Sequence, residues 1–120
     1  MNIEYYREYC LSKPGTSEGM PFDDKVLVFK VMGKMFALTD IDAFASVNLK
    51  CDPERAIQLR EEYDGSIIPG YHMSKKHWNT ILTDGSVSDA FIKELIDHSY
   101  ELVVKSLTKK QKEELAGLNS

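Results

Sequence analysis

Helical spacing of hydrophobic residues opens the chain, and an irregular segment follows it. A first helix is predicted over residues 3–11, with Tyr6 and Cys10 on its inner face. Residues 13–22 contain two prolines and two glycines, a composition typical of loops. We predict a loop there, in which the glycines allow tight turns and residues 20–22 pack into the core.

Segments with β character come next. Residues 26–31 and 35–39 are rich in β-branched and aromatic side chains, and Gly33-Lys34 is predicted to form the two-residue turn of a hairpin. Residues 46–51 alternate regularly between hydrophobic and polar side chains. This pattern is typical of an antiparallel sheet that is covered on one face.

Capping residues mark helices in the second half of the chain. The predicted helices are residues 53–63 after Asp52, residues 75–82 after Ser74, a long helix from Ser88 to Leu107, and a final helix that begins with a Thr108/Gln111 capping box and closes at Gly117. Ile67-Ile68 is predicted to be a short strand. A helix, then strands, then further helices predict one α+β domain over residues 1–120, with an antiparallel sheet packed on helices.

Composition narrows the class of protein. The 120 residues carry a net charge of −4, which argues against nonspecific nucleic-acid binding through overall charge but permits a local basic patch. No apolar run approaches the roughly 20 residues of a membrane span, and the start of the chain lacks the layout of a signal peptide. Cys10 and Cys51 stand far apart, so we expect reduced thiols in a cytoplasmic protein. We also expect a monomer.

Five sequence blocks, in order, carry a family resemblance. They are GTSEGMPF at residues 15–22, VFKVMGKMFAL at 28–38, VNLKCDPERAIQLRE at 47–61, PGYHMSKKHWNTI at 69–81 and DGSVSDAFIKELIDHSYELVVKSL at 84–107. With these blocks the sequence resembles the MmcQ/YjbR family of small bacterial proteins. The resemblance implies a frataxin-like (CyaY-like) fold and DNA binding through two β-hairpin wings. It implies no catalytic residues and no cofactor, so we expect a protein that is not an enzyme.

DNA is therefore the first candidate partner. The candidate DNA-binding residues are Lys30, Lys34, Asn48, Lys50, Lys75, Lys76 and Asn79. The lysines would contact phosphates, while one of the asparagines reaches a base edge. Lys75 and Lys76 stand at a predicted helix start, where positive charge is unfavourable, and an anionic partner would explain them. The alternative is an ordinary solvated face, because 19 acidic residues outnumber 15 basic ones.

The second hypothesis is an interaction module for a protein or a small ligand, with no nucleic-acid role. The outer face of the sheet is predicted to present Val26, Val28, Met35 and Ala37, a partly apolar docking surface unless another helix covers it. Tyr71, His72 and Trp78 are predicted to line a cleft. For His72 the alternative is a structural role, and for Trp78 it is a core anchor of the predicted helix 75–82.

Metal and catalytic chemistry find little support in the spacing of reactive residues. His72 and His77 are five positions apart, which does not place two ligands on one helical face, and His98 is remote. Residues 15–19 match neither a nucleophile elbow nor a phosphate-binding loop. We predict no metal site and no catalytic residues.

Overall fold

A six-stranded antiparallel sheet and four helices make up the computed structural model, which describes residues 1–70 and 73–118. The elements in chain order are α1 (Ile3–Leu11), β1 (Thr16–Gly19), β2 (Val26–Val31), β3 (Lys34–Asp40), β4 (Ser46–Lys50), α2 (Pro53–Glu62), β5 (Ile67–Pro69), β6 (Trp78–Leu82), α3 (Asp89–Ser106) and α4 (Lys109–Leu118). The strand order is β1-β2-β3-β4-β6-β5. The α+β class and the antiparallel sheet are confirmed.

The prediction of a loop over residues 13–22 is wrong in its middle. Thr16 to Gly19 form the edge strand β1, which pairs with β2 from Thr16 opposite Val31 to Gly19 opposite Val28. These four residues lack the hydrophobic alternation of a strand, so their conformation comes from the open edge of β2. Residues 20–22 do not enter the core, because Phe22 is 63% exposed.

The prediction of a helix over residues 75–82 is also wrong. Ser74 instead begins a turn, in which its carbonyl accepts hydrogen bonds from the backbone N–H groups of His77 (3.2 Å) and Trp78 (2.9 Å). Strand β6 follows and pairs with β4 on one side and β5 on the other. A helix of eight residues is marginal alone, whereas Trp-Asn-Thr-Ile-Leu forms a strand with two neighbours to pair with.

The hairpin turn lies one residue earlier than predicted. Met32 and Gly33 form it with φ values of 49° and 85°, and positive φ at both central residues is the type I′ arrangement that fits the twist of a hairpin. The predicted capping box of α4 is confirmed, with Thr108 and Gln111 exchanging hydrogen bonds of 3.0 and 3.1 Å. Helix α4 does not close at Gly117, however, but continues to Leu118.

Each helix contributes buried side chains to a single core on one face of the sheet. The helical members are Tyr6 and Cys10 of α1, Ala56 and Leu59 of α2, Ile92, Leu95, Ile96 and Val103 of α3, and Leu115 of α4. They pack against Phe29, Val31, Phe36, Ala37, Val47, Leu49, Ile67 and Ile81 of the strands.

Ala37, which was predicted to be on the outer face, is fully buried in this core. The β2–β3 register shifts at this point, because Phe29 pairs with Ala37 and Lys30 with Met35, which leaves Phe36 as an extra residue on β3 that changes the alternation of that strand.

A serine hydroxyl from α3 joins the ladder between β3 and β4. The pairing of these strands ends at Ala37 opposite Leu49, and the next residues in register are Phe36 and Lys50. Between them lies Ser99, which is fully buried. Its Oγ accepts a hydrogen bond from Lys50 N (2.9 Å) and donates one to Phe36 O (2.5 Å). The hydroxyl thus satisfies both strands and fixes the depth of α3 on the sheet.

Replacing this hydroxyl tests its contribution. We expect Ser99→Ala to lower the free energy of unfolding by about 1–3 kcal/mol, because a buried N–H and a buried C=O lose their partner. Ser106→Ala is the matched control on the same helix, since Ser106 is exposed and donates to the local Val103 carbonyl. We expect that control to change stability by less than about 0.5 kcal/mol. Urea unfolding followed by circular dichroism measures both, and equal losses would contradict this role for Ser99.

Candidate functional site

The outer face of the sheet carries no described helix but is not fully open. The register aligns one residue from each strand in a row across this face, from Val28 through Leu38 and Asn48 to Thr80 and Ile68. Val28 and Leu38 are buried, although neither belongs to the core beneath the helices. Segments outside the regular elements therefore cover part of this face.

A cavity of about 520 Å³ lies on this face. Its described lining residues are Phe22, Asp23, Val26, Leu38, Thr39, Asp40, Ser46, Asn48 and Met73. Strands β2, β3 and β4 form the floor, and the loop before β2 and the segment before β6 contribute the walls. The volume lies within the range of roughly 300–1,000 Å³ that is typical of small-molecule sites.

The polar groups of the cavity are held in place by local hydrogen bonds. Asp23 Oδ1 accepts from the backbone N–H groups of Lys25 (2.8 Å) and Val26 (3.0 Å). Asp40 Oδ1 accepts from the N–H of Asp42 (2.8 Å) in the turn after β3. These Asx turns fix the direction of both carboxylates. On the floor, Asn48 Oδ1 accepts from Thr80 Oγ1 (2.5 Å).

The predicted lysines gather at the opposite end of the sheet but do not all share a surface. Lys30 and Lys50 lie at the ends of β2 and β4 and point to the outer face, since their neighbours Phe29 and Leu49 face the core. Lys34 instead reaches toward the helices, where its Nζ donates to Ser106 O (3.2 Å). Lys75 and Lys76 lie in the turn before β6. Because they do not begin a helix, a helix dipole is no argument for an anionic partner.

Asn79 does not take the predicted role at a base edge. It is 2% exposed and faces α2, where its Oδ1 accepts from Arg60 Nε (2.7 Å) and its Nδ2 donates to Ala56 O (3.4 Å). Arg60 also donates to the carbonyls of Lys75 and Trp78. Asn79 and Arg60 thus fasten β6 to α2. The side chains of Asn48 and Asn79 lie on opposite faces of the sheet.

Trp78 is buried, but it lies in a strand and not in a helix, and it does not belong to the core beneath the helices. It is 7% exposed and begins β6, opposite Lys50 of β4. Gly70 packs directly against it, with its N–H donating to Trp78 O (2.9 Å). A Cβ at Gly70 would lie 2.7 Å from Trp78 Cβ, so this close approach requires glycine. The predicted cleft partners Tyr71 and His72 lie outside the described residues.

The two cysteines and His98 lie in buried or hydrogen-bonded surroundings that indicate a structural role. Burial raises the pKa of the Cys10 thiol to about 12 and that of Cys51 to about 11. Burial also lowers the pKa of His98, and its Nε2 accepts a hydrogen bond from Asp52 N (3.2 Å). Within residues 1–70 and 73–118, no three His, Cys, Asp or Glu side chains form a group suited to a metal ion. The helices in this part of the chain are too short or too polar to cross a membrane.

The cavity was not predicted from the sequence, because its lining comes from distant segments. Phe22, Asp23 and Met73 belong to connections, whereas Asp40 and Ser46 stand at strand ends. One signal was available: an aromatic residue next to an acid in a segment rich in proline and glycine. The expectation that Phe22 packs into the core is wrong, because its ring lies at the cavity.

Comparisons with known proteins agree with the resemblance. The sequence model of the YjbR family matches residues 11–102. The Escherichia coli K12 protein YjbR is 34% identical over 119 residues, which cover 98% of this chain and 100% of that protein. YbdF of Escherichia coli O157:H7 is 36% identical over 108 residues, or 89% of this chain and 88% of that protein.

A solved structure shares the fold. The crystal structure of the Deinococcus radiodurans protein DR2400, assigned to the DUF419 domain, superposes with a TM-score of 0.89 at 44% sequence identity. The match covers 96% of this chain and 88% of that protein. The frataxin-like arrangement implied by the resemblance stays a prediction.

The contribution of Trp78 to stability can be measured directly. We expect Trp78→Ala to lower the free energy of unfolding by about 3–5 kcal/mol, because a large buried ring leaves a cavity. His77→Ala is the control, since His77 is exposed and the backbone carbonyl that accepts from Cys51 N remains. Chemical denaturation followed by circular dichroism gives both values. A loss near zero for Trp78→Ala would show that the ring serves binding instead of stability.

Proposed function

The chain belongs to the YjbR family, and we propose that it is a binding protein without catalytic activity whose small-molecule ligand occupies the cavity on the outer face of the sheet. The observation that carries this proposal is the cavity itself, about 520 Å³ in volume on the face without described helices. Ligand sites are typically concave and mostly apolar, with a few fixed polar groups. The cavity has both features.

The chemistry of the lining supports binding over catalysis. Its described polar residues are Asp23, Thr39, Asp40, Ser46 and Asn48, with no histidine, cysteine or lysine among them. Asp23 and Asp40 are engaged in turns, which suits fixed recognition better than proton transfer. The free, buried thiols of Cys10 and Cys51 fit a reducing compartment, which supports a cytoplasmic location.

DNA binding is a second candidate, supported by the distribution of charge along the sheet. Lys30, Lys50, Lys75 and Lys76 all lie at the end where β2 and β4 finish and β6 begins. The opposite end carries Asp23, Asp24, Asp40, Asp42 and Asp84. A duplex approaching the first end would meet a local excess of positive charge, despite the net charge of −4. Asn48 lies beside the cavity, so phosphate contacts are better supported than base recognition.

A fragment screen tests the cavity. We expect fragments from a mixed library of aromatic and aliphatic compounds to shift the amide resonances of Val26, Leu38 and Asn48 in ¹H–¹⁵N spectra, because these residues form the floor. Ser46→Trp should abolish the shifts by filling the cavity, whereas Ala116→Trp on the exposed face of α4 should preserve them. Hits that map elsewhere, or shifts that persist in Ser46→Trp, would contradict the proposal.

Anisotropy titrations test the second candidate. If the basic end binds a labelled mixed-sequence duplex, the log–log salt dependence should have a slope of about −3 to −4, since each contacted phosphate contributes about −0.9. Lys30→Ala/Lys50→Ala should reduce that slope by about two. Lys109→Ala/Lys110→Ala removes the same charge from α4 and should leave it unchanged. Absence of binding at low salt would rule out nonspecific duplex binding.

A further inference from the structure

We infer that the ligand of the outer-face cavity is an amphipathic organic cation, a molecule with an apolar body and an ammonium or similar positive group. This inference rests on the proposed function and specifies the class of ligand. It combines the apolar walls of the cavity with two carboxylates fixed beside the same floor residue.

The apolar body of the ligand would lie between the walls and the floor. Val26 and Leu38 form the floor, while Phe22 and Met73 approach from two different loops. The Phe22 ring is 63% exposed at the cavity, so most of its surface is accessible to a ligand. The thioether of Met73 adapts to varied apolar shapes and packs well on rings. These four side chains suit a flat or branched hydrocarbon body.

The positive group would lie near Val26. Asp40 is directly opposite Val26 in the β2–β3 pairing, and Asp23 Oδ1 accepts from Val26 N at 3.0 Å. Both carboxylates thus flank one floor position. In each aspartate, Oδ1 accepts the hydrogen bond of the local turn. A charge-assisted hydrogen bond from the positive group of the ligand would go to the carboxylate group that the turn holds in place.

The surroundings reinforce this preference. Asp24, Asp42 and Asp84 are exposed at the same end of the sheet, with Lys25 as a basic neighbour that does not line the cavity. The lysines of β2 and β4 lie at the far end of their strands. Like-charge repulsion would therefore disfavour a carboxylate or phosphate in the cavity.

Three fluorescent probes with one shared body test the charge of the ligand. Dansylcadaverine carries an ammonium group, dansyl-6-aminohexanoate a carboxylate and N-hexyl dansylamide no charge, and dansyl emission rises in apolar surroundings. We expect dansylcadaverine to bind about tenfold more tightly than the carboxylate, with N-hexyl dansylamide between them, since two exposed carboxylates each contribute a few-fold. Raising the salt concentration should narrow this difference.

Substitutions assign the preference to the two aspartates. Asp23→Asn/Asp40→Asn keeps an oxygen for the Asx turns, so we expect the fold to persist while the three probes bind within about twofold of one another. Glu61→Gln/Glu62→Gln removes the same charge from exposed positions of α2 and should retain the tenfold preference. Ser46→Trp should abolish binding of every probe.

The outcomes separate the two proposals. If the three probes bind the unchanged protein with equal affinity and Ser46→Trp abolishes their binding, the cationic class of ligand is overturned but the cavity remains a ligand site. Absence of binding by every probe would count against the cavity as a ligand site. A tenfold preference that survives in Asp23→Asn/Asp40→Asn, or disappears in Glu61→Gln/Glu62→Gln, would overturn the assignment to these carboxylates.

Discussion

The hydroxyl of Ser99 fixes the position of α3 on the sheet, and the packing of the helices against the strands depends on that position. It takes the place of a direct hydrogen bond between Phe36 and Lys50, so the longest helix is joined to two central strands at once. A hydrophobic contact would let the helix slide, whereas a buried hydrogen-bonded bridge specifies one depth and one register. With α3 fixed there, the other helices pack beside it on the same face. The opposite face is left to loops.

That asymmetry explains why a cavity exists where it does. A sheet with helices on both faces would have its strands buried throughout, but here the outer face alternates between buried residues such as Leu38 and polar ones such as Asn48. Among the described residues, Phe22 and Asp23 before β2 and Met73 before β6 border the cavity on this face, so connections and not helices line it. The concave surface between them follows from the topology more than from any one residue.

Local sequence signals were enough for elements that carry their own information. Caps at Ser88 and Thr108 and the alternation of residues 46–51 identified two helices and a strand. Strands β1 and β6 were missed because their conformation comes from neighbours that are distant in sequence. The same limit applied to the site: Asn79 and Asn48 look alike in sequence, yet the period of the strands places them on opposite faces. Asp23 and Asp40 are brought to one cavity by the β2–β3 pairing and by the loop before β2.

The two buried thiols allow local unfolding of this protein to be measured by chemical modification. Cys10 lies on the buried face of α1 and Cys51 follows β4 just before α2, and burial raises the pKa of Cys10 to about 12 and that of Cys51 to about 11. A thiol reacts as the thiolate, so neither is accessible to alkylating reagents while its surroundings stay closed. The rate at which each cysteine is modified therefore reports how often that part of the protein unfolds. A cysteine introduced on the surface would react far sooner, which makes the native chain a ready background for site-specific labelling.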